Sequence, residues 1–350
     1  IEESQAEEAA MADATPYAAQ GHRVTYGLIG VNILVFLLMA FTGANLLAPS
    51  GEDLIRWGAN YLPYTLGGEP WRLFTACFVH IGILHLLLNM YALFQQGIFL
   101  ESVLGRTRLL TAYIATGLIS SLTSLWWHRN DMVVSAGASG AIFGLFGVFG
   151  ALLTSKLLPD SVRKQLLGSI GAVIVINLLY GLKAGIDNSA HVGGLVSGFI
   201  IGQLFLPGLK KKQRGAARIS TAIVLAAVIA CGSYVALHPD SRLQFETALE
   251  QFPAHEAKGL QPFGHDTTVV ALIGELDAAQ VHWDSARTLL RRTGNLRLSD
   301  ADVRRRNLLE QYTELRAQQN RLARRQLLGE EGAADSLNAL DTAIDKVLQQ

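Results

Sequence analysis

The chain has 350 residues, 50% of them hydrophobic and only 17% charged, with 34 glycines and a mean hydropathy of +0.28. Such a balance excludes an ordinary string of soluble domains. Basic and acidic residues both number 29, so no global field draws nucleic acid. The two cysteines, Cys77 and Cys231, are too few for a disulfide framework or a four-ligand zinc site. Charge is also unevenly spread, with 14 of the 29 Lys/Arg and 17 of the 29 Asp/Glu falling after residue 238.

In chain order, a small and acidic segment, 1–23, precedes seven charge-free windows: 24–51, 73–100, 109–128, 132–155, 165–182, 188–209 and 219–239. About 20 helical residues cross a hydrocarbon core of ~30 Å, so the windows predict seven transmembrane helices with no need for strands. The first does not resemble a cleaved signal peptide, because it lacks a short apolar core followed by a small-residue cleavage site. Basic residues set the expected orientation. With the N-terminus in the cytoplasm, eleven fall inside: Arg23, Arg106, Arg108, Lys156, Arg163, Lys164, Lys210, Lys211, Lys212, Arg214 and Arg218. Only Arg56, Arg72, Arg129 and Lys183 fall outside. The cluster Lys210 to Arg214 reads as a topology determinant, with anionic-lipid binding as the lesser alternative.

Between the first two windows, residues 45–72 hold Trp57, Tyr61, Tyr64 and Trp71. That density suits a loop at the lipid headgroups. Past the seventh window, apolar residues recur at helical spacing amid Arg, Glu and Gln. Residues 240–350 therefore read as a soluble helical domain, best seen at Val270 to Arg292 and Ser299 to Leu328. An odd number of spans places this domain outside the cytoplasm.

Four polar residues inside the windows call for a purpose, since an unpartnered polar group in hydrocarbon costs several kcal/mol. His85 and Asn89 are four apart and share one helix face. Ser139 lies in Gly137-Ala138-Ser139-Gly140, where the glycines allow close backbone approach and a helix start leaves N–H groups free. His191 opens the sixth window. Glycine stripes, Gly140, Gly144, Gly147 and Gly150 in window four and Gly194, Gly198 and Gly202 in window six, let those two helices approach closely. A hydroxyl and an imidazole could then meet within hydrogen-bond reach.

These elements together resemble the rhomboid family of intramembrane serine proteases. The likeness rests on Trp71-Arg72, His85-x-x-x-Asn89, Gly137-x-Ser139-Gly140 and Ala190-His191-x-x-Gly194-x-x-x-Gly198, in family order, with His80, Glu101 and Gly105 fitting the same pattern. The resemblance covers roughly residues 24–206 as a six-helix core, followed by a basic loop 207–218 and a seventh helix 219–239. It implies a catalytic dyad in which Ser139 is the nucleophile and His191 the general base. It also implies an oxyanion held by the Ser139 N–H, His85 and Asn89, with Phe143 stacking under the histidine where some relatives carry tyrosine. No metal or cofactor is required. Substrates are expected to be transmembrane segments that enter between spans two and five, with the loop Lys183 to Ser189 as a cap. Trp71 reads as a headgroup anchor, and Arg72 and His80 as structural.

A bacterial cytoplasmic membrane suits the compact loops. The C-terminal domain is left to recruit substrates, contact a protein partner or mediate oligomerisation. Two rival readings remain at this stage. One is an inactive rhomboid-like binder of transmembrane helices, although such relatives usually lose the serine or histidine. The other is a small-solute transporter, which would be expected to show repeat symmetry.

Overall fold

The computed structural model describes residues 10–131, 133–155, 157–181, 186–210, 214–263, 268–330 and 332–349. It divides into two compact units, one of residues 1–65 and 69–238, the other of residues 66–68 and 239–350.

Among the described residues of the first unit seven long helices follow one another: α1 (Arg23–Phe41), α2 (Ile83–Leu104), α3 (Arg106–Trp127), α4 (Ser139–Leu153), α5 (Asp160–Tyr180), α6 (Asn188–Lys210) and α7 (Arg214–Leu237). Stretches of α1, α2, α3, α6 and α7 are long and apolar enough to cross a membrane. The apolar parts of α4 and α5, Ser139–Leu153 and Leu166–Leu179, are shorter. At ~1.5 Å per residue α4 measures only about 22 Å. It is nonetheless buried along almost its whole length, so its neighbours rather than lipid surround it.

The helices depart from the charge-free windows at their ends, because a charge at a helix terminus stays in the backbone ladder while its head reaches polar surroundings. The second window loses residues 73–82 to short helical turns, Arg72–Thr75 and Ala76–Phe78, while α2 runs on past Glu101 to Leu104. Gly105, at φ +79°, then lets α3 begin at once. The expected basic loop 207–218 is a correction. α6 continues through Pro207 to Lys210 and α7 starts at Arg214, leaving only 211–213, with Lys211 and Lys212, outside the described residues. Lys156 and Lys183 lie outside them too.

Beside these helices the first unit has one short strand pairing. Asn60–Tyr61 (β1) pairs antiparallel with Val134–Ser135 (β2). This two-rung bridge ties the long first loop to the segment that leads into α4. Two residues per strand are too few to leave an alternation in the sequence.

Glu101 shows how the bundle is stitched. It is 2% exposed, and its carboxylate accepts from the Val24 and Thr25 N–H groups at 3.1 and 2.9 Å and from the Thr25 hydroxyl at 2.7 Å. A side chain of α2 thereby satisfies donors that the first turn of α1 cannot satisfy itself.

The second unit holds α8 (Ser241–Leu260), α9 (Val269–Arg291), α10 (Asp300–Leu327) and α11 (Ala333–Leu348). Asp240, Thr268 and Ser299 cap the first three with side-chain oxygens. Its core gathers Trp283, Leu290, Tyr312, Ile344 and Val347, and the Trp283 indole donates to the Gly259 carbonyl at 3.1 Å.

Candidate active site

Ser139 is the first residue of α4, a position that lacks intrahelical partners for its N–H groups and carries the positive end of the helix dipole. The turn before it is held from two sides. The Gly137 N–H donates to the Ala76 carbonyl at 2.9 Å, and Gly137 adopts φ +136°. A Cβ there would stand 2.6 Å from His85 Cε1 and 3.1 Å from Nε2, so only glycine lets the His85 ring lie against this backbone.

His191, in the first turn of α6, meets Ser139 directly: its Nε2 and the Ser139 Oγ are 2.9 Å apart. One helical turn along α4 the Phe143 ring stacks on the imidazole, with centroids 4.2 Å apart and planes 3° from parallel. His191 is 7% exposed and its Nδ1 has no hydrogen-bond partner among the described residues. Ser139 is only half-buried and stays reachable.

Bare backbone sets the distance between the two helices. A Cβ on Gly194 would run into the Gly140 carbonyl, and one on Gly198 into that of Gly144. On its other side Gly140 faces the Ser120 side chain of α3, and Gly144 faces Thr116. The Ser120 hydroxyl continues to the Ala190 carbonyl at 2.8 Å, so α3 anchors the residue next to His191.

His85 and Asn89 do share a face of α2, as their spacing requires. The Ile81 N–H reaches His85 Nδ1 at 3.5 Å, and the buried Asn89 amide donates to the His85 carbonyl at 2.8 Å. His80 is fully buried beside them, its ring 5.4 Å from that of His85 and its Nδ1 3.2 Å from the Phe78 carbonyl.

Arg72 organises the first loop. It reaches the carbonyls of Ile55 at 2.6 Å and Ala59 at 3.2 Å, pairs with Glu69 at 2.7 Å, and lies over the rings of Trp71 and Tyr64. Trp71 is itself half exposed.

Two contributors were not singled out by sequence. Ser120 belongs to a polar run, Ser120, Ser121 and Ser124, whose recurrence along one helix face was the available signal. Asp187, just ahead of α6, takes hydrogen bonds from the Ser189 hydroxyl and the Ala190 N–H and lies 3.5 Å from His128 Nε2. Burial pushes its carboxyl up. Hydrogen bonds from Ser124, Ser189, Ser135 and the Ala190 N–H outweigh that and hold it below its ordinary value. Asp187 thus fixes the entry of α6 through its backbone.

Comparison with known proteins adds a separate line of observation. A family model described as "Rhomboid domain" matches residues 67–208. The chain is 38% identical over 232 residues to "Rhomboid protease GluP" of Bacillus subtilis, covering 65% of this chain and 43% of that protein. It is 31% identical over 199 residues to "Rhomboid protease AarA" of Providencia stuartii, covering 51% of this chain and 70% of that one. It is 38% identical over 164 residues to "RHOMBOID-like protein 6, mitochondrial" of Arabidopsis thaliana, covering 46% and 52% respectively. The chain thus spans about half the length of most of these relatives. Identity over that extent, together with helices built to cross a bilayer, makes this chain an integral membrane protein that belongs to the rhomboid family.

Proposed function

We propose that the chain is an intramembrane serine endopeptidase that cleaves transmembrane segments of other membrane proteins. The observation that carries this reading is the 2.9 Å approach of Ser139 Oγ to His191 Nε2, with Phe143 holding the ring flat beneath it. In the tautomer with the proton on Nδ1, Nε2 accepts the serine proton as Oγ attacks the scissile carbonyl carbon. The resulting oxyanion is met by the Ser139 N–H at the start of α4, with His85 and Asn89 as the side-chain donors. His191 then hands its proton to the leaving amine, and a water molecule, deprotonated by the same imidazole, releases the acyl group from Ser139. Donors aimed at an oxyanion are worth about 2.7–4 kcal/mol each in hydrolases.

In this reading the N-terminus is cytoplasmic, and seven spans leave residues 240–350 as a helical domain outside, in a bacterial cytoplasmic membrane. Substrate helices enter between α2 and α5. The apolar faces that both expose, Leu84, Leu87 and Leu88 on one and Val175, Ile176 and Leu179 on the other, support that route. The cap expected at Lys183 to Ser189 falls partly on 182–185, outside the described residues.

The test is cleavage of a transmembrane reporter by the Ser139→Ala variant, run beside labelling with a serine-reactive fluorophosphonate. Cleavage and labelling should both vanish while membrane insertion persists. Cleavage at the original rate would overturn the assignment.

A further inference from the structure

The end of the bundle away from the dyad carries a second built site. Arg106 and Arg108 open α3, and Ser120, which braces the dyad, lies about 21 Å further along that helix. Arg106, Arg108 and Arg218 line one cavity of about 500 Å³, together with Tyr17, Thr221 and Leu225. Three arginines thus line one cavity, and no carboxylate is among the described lining residues.

None of the three is fully spent. Arg108 is 6% exposed, with one face over the Phe205 ring, and its Nη1 has no hydrogen-bond partner among the described residues. Arg106 donates Nη2 to the Gln20 carbonyl, but its buried Nε has no hydrogen-bond partner among the described residues. Glu101 lies 3.8 Å from that Nε and is already committed to the first turn of α1. Arg218 is exposed and enters no ion pair among the described residues. A buried guanidinium with unused donors is costly unless an anion completes it.

A second cavity of about 350 Å³ shares Arg106, Thr107 and Leu225 with the first. Its other walls are Val24, Leu110, Thr111 and Ile114, almost entirely apolar. The cations sit where the apolar spans of α3 and α7 begin, so a cationic bowl at interfacial depth opens into an apolar groove along the spans. We infer that this is a binding site for one anionic glycerophospholipid, its phosphate held by Arg106, Arg108 and Arg218 and an acyl chain lying in the groove between α3 and α7. Planar guanidinium groups suit phosphate oxygens, and the groove accounts for a chain that a free anion lacks. Lipid bound there bridges α7 to α1 and α3.

The full chain in detergent is titrated with dioleoyl phosphatidylglycerol, dioleoyl phosphatidylcholine and soluble glycerol phosphate, with native mass spectrometry and thermal unfolding as readouts. One phosphatidylglycerol should bind per chain and raise the unfolding temperature, while the other two do not. Arg218→Gln, at an exposed position with no ion pair among the described residues, should weaken phosphatidylglycerol binding about tenfold, as loss of one charge-assisted contact requires, and leave the lipid-free unfolding temperature unchanged. Arg108→Gln should weaken it further, and should that variant fail to fold, Arg218→Gln decides. Equal binding of the two lipids, binding untouched by Arg218→Gln, or glycerol phosphate binding as tightly as the lipid would each overturn the proposal.

Discussion

Replacing Gly137 by alanine tests whether the turn ahead of α4 holds the dyad in place. At φ +136° an L side chain is strained, at a cost of about 1–3 kcal/mol. The new Cβ would stand 2.6 Å from His85 Cε1, and relieving that overlap within packed surroundings costs about another 1–3 kcal/mol. The combined penalty is about 2–6 kcal/mol, against a typical total stability of about 5–15 kcal/mol, so the bundle should stay folded and the strain should be released locally. Either the His85 ring swings away or the turn carrying Ser139 shifts, and a shift of about 1 Å lowers a rate on the order of a hundredfold. Turnover of a transmembrane reporter, measured beside far-ultraviolet circular dichroism, should therefore fall on that scale with helicity intact. Unchanged turnover, or a loss no greater than the unfolded fraction, would refute the reasoning.

Glu101→Ala strips the first turn of α1 of its acceptor, and should destabilise the bundle by about 3 kcal/mol in detergent-denaturation curves, since buried donors are left without partners. Gly198→Val drives a side chain into the backbone of Gly144, where nothing can rotate away. Loss of more than about 3 kcal/mol, together with loss of activity, should appear in the same curves. In the second unit a hydrogen bond from Arg287 holds the Glu314 carboxyl below its ordinary value. The folded carboxyl is the stronger acid, so its stabilisation is complete above the ordinary 4.5 and drains away as pH falls below it. Glu314→Gln should flatten that acid-side decline, read by amide hydrogen exchange of α9 and α10 in the intact chain.

The helices were legible because uncharged windows long enough to cross lipid have few other meanings, and the tail helices because leucines recur at helical spacing. Spacing also put His85 and Asn89 on one face, and the glycine stripes announced that α4 and α6 would touch. Backbone detail was hidden. Residues 133–138 are as free of charge as the rest of their window, yet they form the β2 bridge and the turn rather than helix, because Gly137 takes a positive φ that composition does not encode. Asp187 looked like a loop residue, and only folding brings Ser124, Ser135 and His128 around it. The arginine bowl was equally hidden: Arg106 and Arg108 are neighbours in sequence, but Arg218 joins them from more than a hundred residues away, and each had been accounted for as a topology signal.

Where α4 and α6 meet, the atoms that forbid a larger residue are carbonyl oxygens, common to every amino acid. A clash with a side chain can be cured by trimming that side chain, whereas a clash with a peptide group has no genetic remedy on the partner helix. A screen for second-site revertants of Gly194 or Gly198 substitutions should therefore return the original codon and little else. Exposed apolar positions such as Leu34 on α1 or Ile229 on α7 can drift among apolar residues without consequence for the pair. The lineage of this protein is free to change its outer coat but keeps one seam that mutation elsewhere cannot repair.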